Sequence, residues 1–265
     1  MMRPKRGTAM TYDTIQFTIS DGVAALTLNR PQVMNALSSR MRAEITDAVQ
    51  TLPADARCLV ITGAGRGFCS GQDLTDRAAA ADLEGTLRDE YEPMLRAIRA
   101  CRAPVIAAVN GVAAGAGANL ALAADVVIAA ESASFIQAFA RIGLVPDAGG
   151  TFVIPRAVGM ARAMGMMLFA EPVSARQAAD WGLIWEALPD EGFAAGIAAR
   201  ARQLAQGPTA AFLAIREAVQ ASTQNDMDAQ LALEARLQGA AGRTADFVEG
   251  VTAFLEKRPA RFTGR

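Results

Sequence analysis

The chain contains no histidine. A serine or cysteine nucleophile activated by imidazole is therefore excluded, and zinc or another transition metal loses its commonest ligand. The three cysteines, Cys58, Cys69 and Cys101, form no Cys-x-x-Cys and sit in apolar or glycine-rich settings, which fits a reducing compartment. Aromatic residues are only 6% of the chain and the net charge is −1, so the basic stripes and interleaved aromatics of a nucleic-acid binder are missing. Lysine is nearly absent, with Lys5 and Lys257 alone among 26 basic residues, a bias that points to no function. No apolar run is long enough to cross a bilayer, and Met1 to Met10 is basic without the apolar core of a signal peptide. The expectation is a cytoplasmic protein with a flexible lead over residues 1–12.

What the chain does have is apolar and small: 52% hydrophobic residues and 23 glycines in 265 residues, ample for a large core. Thr14 to Ser20 and Val23 to Leu28 both alternate, and Asp21-Gly22 between them signals a two-residue hairpin. Ser38 is placed to cap a helix with Met41, Ile45, Ala48, Val49 and Leu52 on its apolar face, ended by Pro53. Cys58 to Ile61, Val105 to Val109 and Val126 to Ala129 are continuous apolar runs of the kind expected for strands buried on both faces. Residues 75–90 are polar and alanine-rich without a firm period, so a mobile or variable segment that covers something is expected there, leading to a helix through Met94 and Ile98. Ser174 is expected to cap a short helix reaching Trp181, and four helices follow at 191–206, 208–221, 225–240 and 244–257. Alternating strand and helix signals favour an α/β layered fold, with a core over 13–200 and a helical region over 201–265 for packing and oligomerisation.

Two strands empty into loops built for exposed backbone. After Cys58 to Ile61 come Gly63, Gly65, Gly67 and Gly71, and after Val105 to Val109 comes a run of small residues through Gly115 and Gly117 to Asn119. Such loops let a ligand lie against main-chain N–H groups, and a helix starting near Gly115 would direct free N–H groups at an oxygen. Nucleotide readings fail on spacing, because a dinucleotide fingerprint starting at Gly63 would need glycine where Phe68 stands, and no Gly-Lys-Ser/Thr follows for a P-loop. Gly67-Phe68-Cys69-Ser70-Gly71 is similar to a nucleophile elbow, yet lacks any imidazole partner, so Cys69 and Ser70 are read as small packing residues. In isolation the aspartate of Val145-Pro146-Asp147-Ala148-Gly149-Gly150 is most simply a turn or cap residue.

Asn29-Arg30-Pro31 with Asn35-Ala36-Leu37, Gly67 to Leu74, Val109 to Asn119 with Asp125, and Ile142 to Thr151 together resemble, in order and spacing, the crotonase (enoyl-CoA hydratase/isomerase) family. The likeness covers about residues 13–262. Within the family, Gly111 to Leu122 and the ending from Ala241 resemble members that isomerise a ring-1,2-epoxide of phenylacetyl-CoA to an oxepin in phenylacetate breakdown. The resemblance implies a spiral of ββα units with a C-terminal helical trimerisation region, a homotrimer or dimer of trimers, and acyl-CoA substrates. It implies no cofactor, CoA being part of the substrate.

By position, the family's enolate-stabilising N–H pair falls on Gln72 and Ala116. The positions at which its hydratases carry two glutamates hold Asn119 and Phe139, so proton transfer for hydration lacks its usual groups. Asn119 is read as packing or loop-orienting, with a contact to substrate or water as the other role, and Phe139 as an apolar wall. The resemblance makes Asp147 the proton shuttle, moving a 3-enoyl double bond into conjugation or assisting C–O cleavage and ring expansion of the epoxide. Asp73 competes with it, although fixing the loop is its simpler role. Met34, Asn35, Ala36, Ser70, Gly71, Asp73, Leu74 and Gly115 are expected to border the substrate, and Arg30 and Lys257 to meet phosphates, Lys257 from a neighbouring subunit. A hydratase, a hydrolase or an RNA-binding relative of the same fold is the alternative.

Overall fold

The computed structural model describes residues 12–265, so the lead expected over 1–12 lies, apart from Tyr12, outside the described residues. Strand β1 (Ile15–Ser20) turns back into β2 (Val23–Leu28) through Asp21 and Gly22, both at positive φ (51° and 77°), as a tight hairpin requires. Helix α1 (Ser39–Gln50) starts at Ser38, whose side chain accepts from the Met41 N–H at 3.3 Å.

The chain then repeats one manoeuvre. Strand β3 (Cys58–Gly63) leads to the short β4 (Gly67–Cys69), and helices α2 (Arg77–Ala81), α3 (Leu83–Thr86) and α4 (Glu92–Arg99) return it to the start. Strands β5 (Val105–Val109) and β6 (Val112–Ala114) are followed by α5 (Ala116–Leu122), and β7 (Val126–Ala130) and β8 (Ser134–Ile136) by α6 (Gly150–Val158) and α7 (Met160–Phe169). The last strands, β9 (Val173–Ser174) and β10 (Glu186–Leu188), flank α8 (Ala175–Asp180). Strands β3, β5 and β7 join the first hairpin and β10 in one sheet, ordered β1-β2-β3-β5-β7-β10, and their partners β4, β6 and β8 join β9 in another, ordered β4-β6-β8-β9. The large sheet is parallel except for the first hairpin, so the two sheets advance together as the ββα spiral expected from the sequence.

The unbroken apolar runs now have a reason. Leu59, Ile61, Val105 and Ala107 point into the main core, while Cys58, Val60, Ile106 and Ala108 point to the opposite face. There α9 (Asp190–Ala205) lays Ile197, Ala201 and Ala205 over them, so alternation along each strand fills two cores. Helices α10 (Thr209–Ala221), α11 (Met227–Ala241) and α12 (Ala245–Leu255) complete the chain. Among the described residues, no helix is long and apolar enough to cross a membrane.

The 75–90 segment, expected to be mobile or variable, is largely helical. Its order rests on polar caps: Asp76 accepts from the Ala79 N–H (3.4 Å) and Asp82 from the Gly85 N–H (2.9 Å). A single π turn, Leu87–Tyr91, joins α3 to α4. Two short helices and a π turn break the 3.6-residue repeat, which is why no period stood out.

Candidate active site

The loop after β4 is held from one side. Leu37 N–H donates to the Gly71 carbonyl (2.8 Å) and Asp73 N–H to the Leu37 carbonyl (3.1 Å), bracketing Gln72. In such a parallel bridge the bracketed residue turns its own N–H the other way, and among the described residues nothing accepts from Gln72 N–H. Gly71 sits at φ 96°, and a Cβ there would lie 2.8 Å from the Ala114 carbonyl and 3.4 Å from the Ala116 nitrogen. Glycine therefore lets the two loops touch.

The second loop leaves β6 through Gly115 (φ 53°, ψ −128°), whose N–H donates to the Ile136 carbonyl at 2.8 Å. Ala116 opens α5, and its N–H has no backbone acceptor among the described residues. Gly117 packs so closely on β4 that a Cβ would meet the Cys69 carbonyl at 2.4 Å. Two free N–H groups on touching segments can receive one oxygen.

Asp147 arrives from a third direction, between β8 and α6. Its carbonyl accepts from Asn119 Nδ2 (2.8 Å) and from the Gly150 N–H (2.9 Å). Asn119 is buried on α5 and receives Gln137 Nε2 on its own Oδ1 at 2.9 Å. The helix that presents Ala116 thus also holds the Asp147 loop. Asp147 Oδ1 is buried with no hydrogen-bond partner among the described residues, and burial pushes its carboxyl up to about 6.

These pieces share one cavity of about 610 Å³. Ser70, Gly71, Gln72 and Leu74 line it from the first loop, Gly115 and Ala116 from the second, and Phe139 and Asp147 from the third. Leu83, Thr86 and Leu87 cover it from the 75–90 segment and Tyr91 from just after it, giving that segment the covering position expected of it.

Other expected site residues lie outside the cavity lining. Asp73 accepts from Arg30 (2.7 Å) and from the Thr75 hydroxyl (2.6 Å) and N–H (3.0 Å). The Thr75 hydroxyl foremost, and Arg30 after it, hold the Asp73 carboxyl below its ordinary value, so it stays ionised and serves the loop. Asn35, at φ 56°, accepts from Arg30 N–H and donates to Ala64, Gly67 and Phe68 carbonyls, which fixes the turn that begins at Met34 (φ 53°). Met34 Sδ lies 3.3 Å from Arg66 Nε, and the Ala36 carbonyl accepts from Arg30 at 2.8 Å. Asn119 stands behind Asp147 rather than in the cavity wall. Lys257 is exposed just beyond α12 and is not among the residues lining the cavity. Cys69 is wholly buried with its thiol pushed up to about 12, so it remains a neutral packing residue.

With the geometry in hand, comparison with known proteins gives a direct result. The sequence profile of "Enoyl-CoA hydratase/isomerase" matches residues 18–265. The chain belongs to the enoyl-CoA hydratase/isomerase family. A protein from Rhodobacter capsulatus named "Probable enoyl-CoA hydratase" is 63% identical over 97% of this chain and 100% of its own. The "1,2-epoxyphenylacetyl-CoA isomerase" of Escherichia coli is 47% identical over 93% of this chain and 97% of its own. Among solved structures, the enoyl-CoA hydratase of Bacillus anthracis superposes with a TM-score of 0.89 at 31% identity, covering 96% of this chain and 100% of that one. As a family member the protein acts on CoA thioesters.

Arg42 and Tyr91 were not legible as site residues. Arg42 is wholly buried, donating to the Leu37 carbonyl (2.6 Å), Glu90 (2.6 Å) and Gln72 Oε1 (3.0 Å), with its cation 4.6 Å from the Tyr91 ring centroid. The one signal was an arginine beside Met41 on the apolar side of α1, a place where a charge needs a buried partner.

Proposed function

We propose that this family member is an acyl-CoA isomerase in which Asp147 moves a proton while Gln72 and Ala116 N–H groups hold the thioester oxygen. One observation carries the reading: among the described residues Asp147 is the carboxylate lining the cavity, unpartnered and raised to about 6. A base poised near neutrality can both take and return a proton. Two backbone donors aimed at the developing oxyanion are each worth about 10²–10³ in rate.

For a 3-enoyl-CoA, Asp147 takes the α proton, the electron pair enters the enolate, and the same proton returns at the γ carbon as the double bond moves into conjugation. The ring epoxide of phenylacetyl-CoA follows the same course. Its expansion to the seven-membered ring breaks the bond between the two epoxide carbons and keeps both C–O bonds, so the C–O cleavage expected from the sequence is unnecessary. The α proton then leaves, and a proton returns to the ring carbon γ to the thioester. Phe139, Leu87 and Leu144 give the acyl group apolar walls. No cofactor is needed beyond the CoA carried by the substrate.

Hydration is the second reading, favoured by the name of the 63% identical relative. Against it, Asn119 spends its amide on Asp147 and Gln137, and Phe139 offers no proton. The test is an acyl-CoA panel with wild type and Asp147→Asn: a 3-enoyl-CoA, the epoxide generated in situ, and crotonyl-CoA. Isomerisation abolished in the variant is the expected result. Rapid loss of the crotonyl-CoA conjugated absorbance that survives in Asp147→Asn would overturn the assignment.

A further inference from the structure

The proton chemistry makes no use of Arg42, a wholly buried cation that touches the first loop of the site without lining the cavity. It springs from the start of α1, and its guanidinium is held along every edge. Nη1 donates to the Leu37 carbonyl (2.6 Å) and to Gln72 Oε1 (3.0 Å). Nε and Nη2 donate to Glu90 Oε2 (2.9 and 2.6 Å), and Nη2 also donates to the Ser39 hydroxyl (3.0 Å). The Tyr91 ring closes one face, its centroid 4.6 Å from the cation.

Both of these Nη1 partners belong to the bracket that sets Gln72. Leu37 bonds to Gly71 through its N–H and to Asp73 through its carbonyl, one on each side of Gln72, so a shift of the Leu37 carbonyl shifts the Gln72 peptide. The other partner is the side chain of Gln72 itself. A planar fork that reaches both at once fixes the residue at its backbone and at its side chain.

Stability alone gives no reason for this arginine. The Leu37 carbonyl already accepts from the Asp73 N–H (3.1 Å), Gln72 Oε1 accepts from the Tyr91 hydroxyl, and the Glu90 side chain is 33% exposed to water. None of the three relies on Arg42 for its only partner. A guanidinium taken out of water carries a desolvation cost that an ion pair offsets poorly. What the fork supplies is direction.

We propose that Arg42 is a positioning residue, holding the Gln72 N–H on line to the thioester oxygen from behind the loop. The inference rests on the placement of that oxygen at Gln72 and Ala116 under the proposed function. Glu90 braces the far edge of the fork, lies outside the cavity lining and bonds to neither Leu37 nor Gln72 among the described residues. Its removal can therefore reach the donor only through Arg42.

The test reads the donor spectroscopically. Hexanoyl-CoA isotope-labelled at the thioester carbonyl has no double bond to move, and the infrared difference spectrum of its complex reports the hydrogen bonds on the carbonyl oxygen. In wild type the carbonyl stretch lies below its position for the free ester in water. In Arg42→Met it returns at least halfway to the free value, and in Glu90→Ala it moves in the same direction. With cis-3-hexenoyl-CoA, kcat falls about tenfold or more in Arg42→Met while KM stays within about threefold, as expected for an interaction strongest in the transition state. An arginine serving stability alone would lower the unfolding midpoint yet leave the stretch of the folded complex at its wild-type position, and that result overturns the proposal. Should Arg42→Met not fold, an unchanged stretch in Glu90→Ala overturns it instead. If wild type leaves the carbonyl where water does, the placement of the thioester oxygen itself fails and takes the inference with it.

Discussion

Replacing Asp147 by asparagine should move activity and stability in opposite directions. A free aspartate titrates near 3.8, whereas burial holds Asp147 near 6 in the folded chain. A shift of roughly two pKa units corresponds to ~3 kcal/mol of preference for the neutral form, and partial solvent contact trims this to about 2 kcal/mol. The sign follows from proton binding. Below the unfolded value both states are protonated and the group contributes nothing unfavourable. Between about pH 4 and 6 the unfolded chain ionises first, so wild-type stability falls, and above the folded value the loss is complete. Asparagine has no such titration, so the stability of Asp147→Asn relative to wild type rises by about 2 kcal/mol from pH 4 to pH 7 and is constant beyond. Urea unfolding of both proteins at several pH values measures that difference directly. Turnover of a 3-enoyl-CoA falls ~10²–10⁴-fold in the variant, and wild-type kcat/KM rises with pH to a plateau above about 6. A stability difference independent of pH, together with a wild-type profile flat from pH 5 to 8, would refute the reasoning.

Asn119→Ala removes the bond to the Asp147 carbonyl and strands buried Gln137, costing about 1–3 kcal/mol of stability. Its kcat falls more than its KM rises, because the acid/base loop is freed while the cavity wall remains; steady-state kinetics separate the two. Gly117→Ala drives a Cβ to 2.4 Å from the Cys69 carbonyl, so β4 and α5 must part. A loss of about 1–3 kcal/mol in thermal unfolding is expected, with at least a tenfold drop in kcat as the two N–H groups separate. Asp73→Asn should destabilise the Arg30–Thr75 loop yet leave the pH midpoint of turnover unmoved, which a pH–rate profile checks. The trimer or dimer of trimers implied by family resemblance fits the apolar residues on α12, where Phe254 is 82% and Leu255 is 73% exposed. Phe254→Asp should lower the mass measured by light scattering.

The strands were legible because their chemistry is local. Asp21-Gly22 dictates a turn wherever it falls between alternating runs, and Cys58 to Ile61 has no polar residue to give to solvent. The two glycine-rich loops were legible for a similar reason, since Gly71 and Gly115 announce main chain that must approach something closely. The covering position of the 75–90 segment was legible, but the residues that do the covering were not. Thr86, Leu87 and Tyr91 acquire their direction only from a π turn and from Arg42, which lies on a different element. The role of Asn119 was half legible. Its substitution for an acidic residue could be read in the sequence, whereas its hold on the Asp147 carbonyl depends on a loop that folds over it from residue 147.

The division of labour in the site follows from packing. A Cβ on Gly71 would strike the Ala114 carbonyl and one on Gly117 the Cys69 carbonyl, so the first two loops are locked together by contacts that any side chain would disrupt. The pair of N–H groups they present is therefore built into the spiral core. The third loop is held differently: Gly149 at φ 82° has nothing within 4 Å, whereas a Cβ on Gly150 would lie 2.4 Å from Asn119 Nδ2, the group that holds the Asp147 carbonyl. The Asp147 side chain takes no part in that hold, so Asp147→Asn should leave the Gln72 and Ala116 N–H groups in place. In the proposed mechanism electrostatic stabilisation falls to the two interlocked loops and proton transfer to Asp147, so that a chain lacking every histidine would still have what enolate chemistry requires.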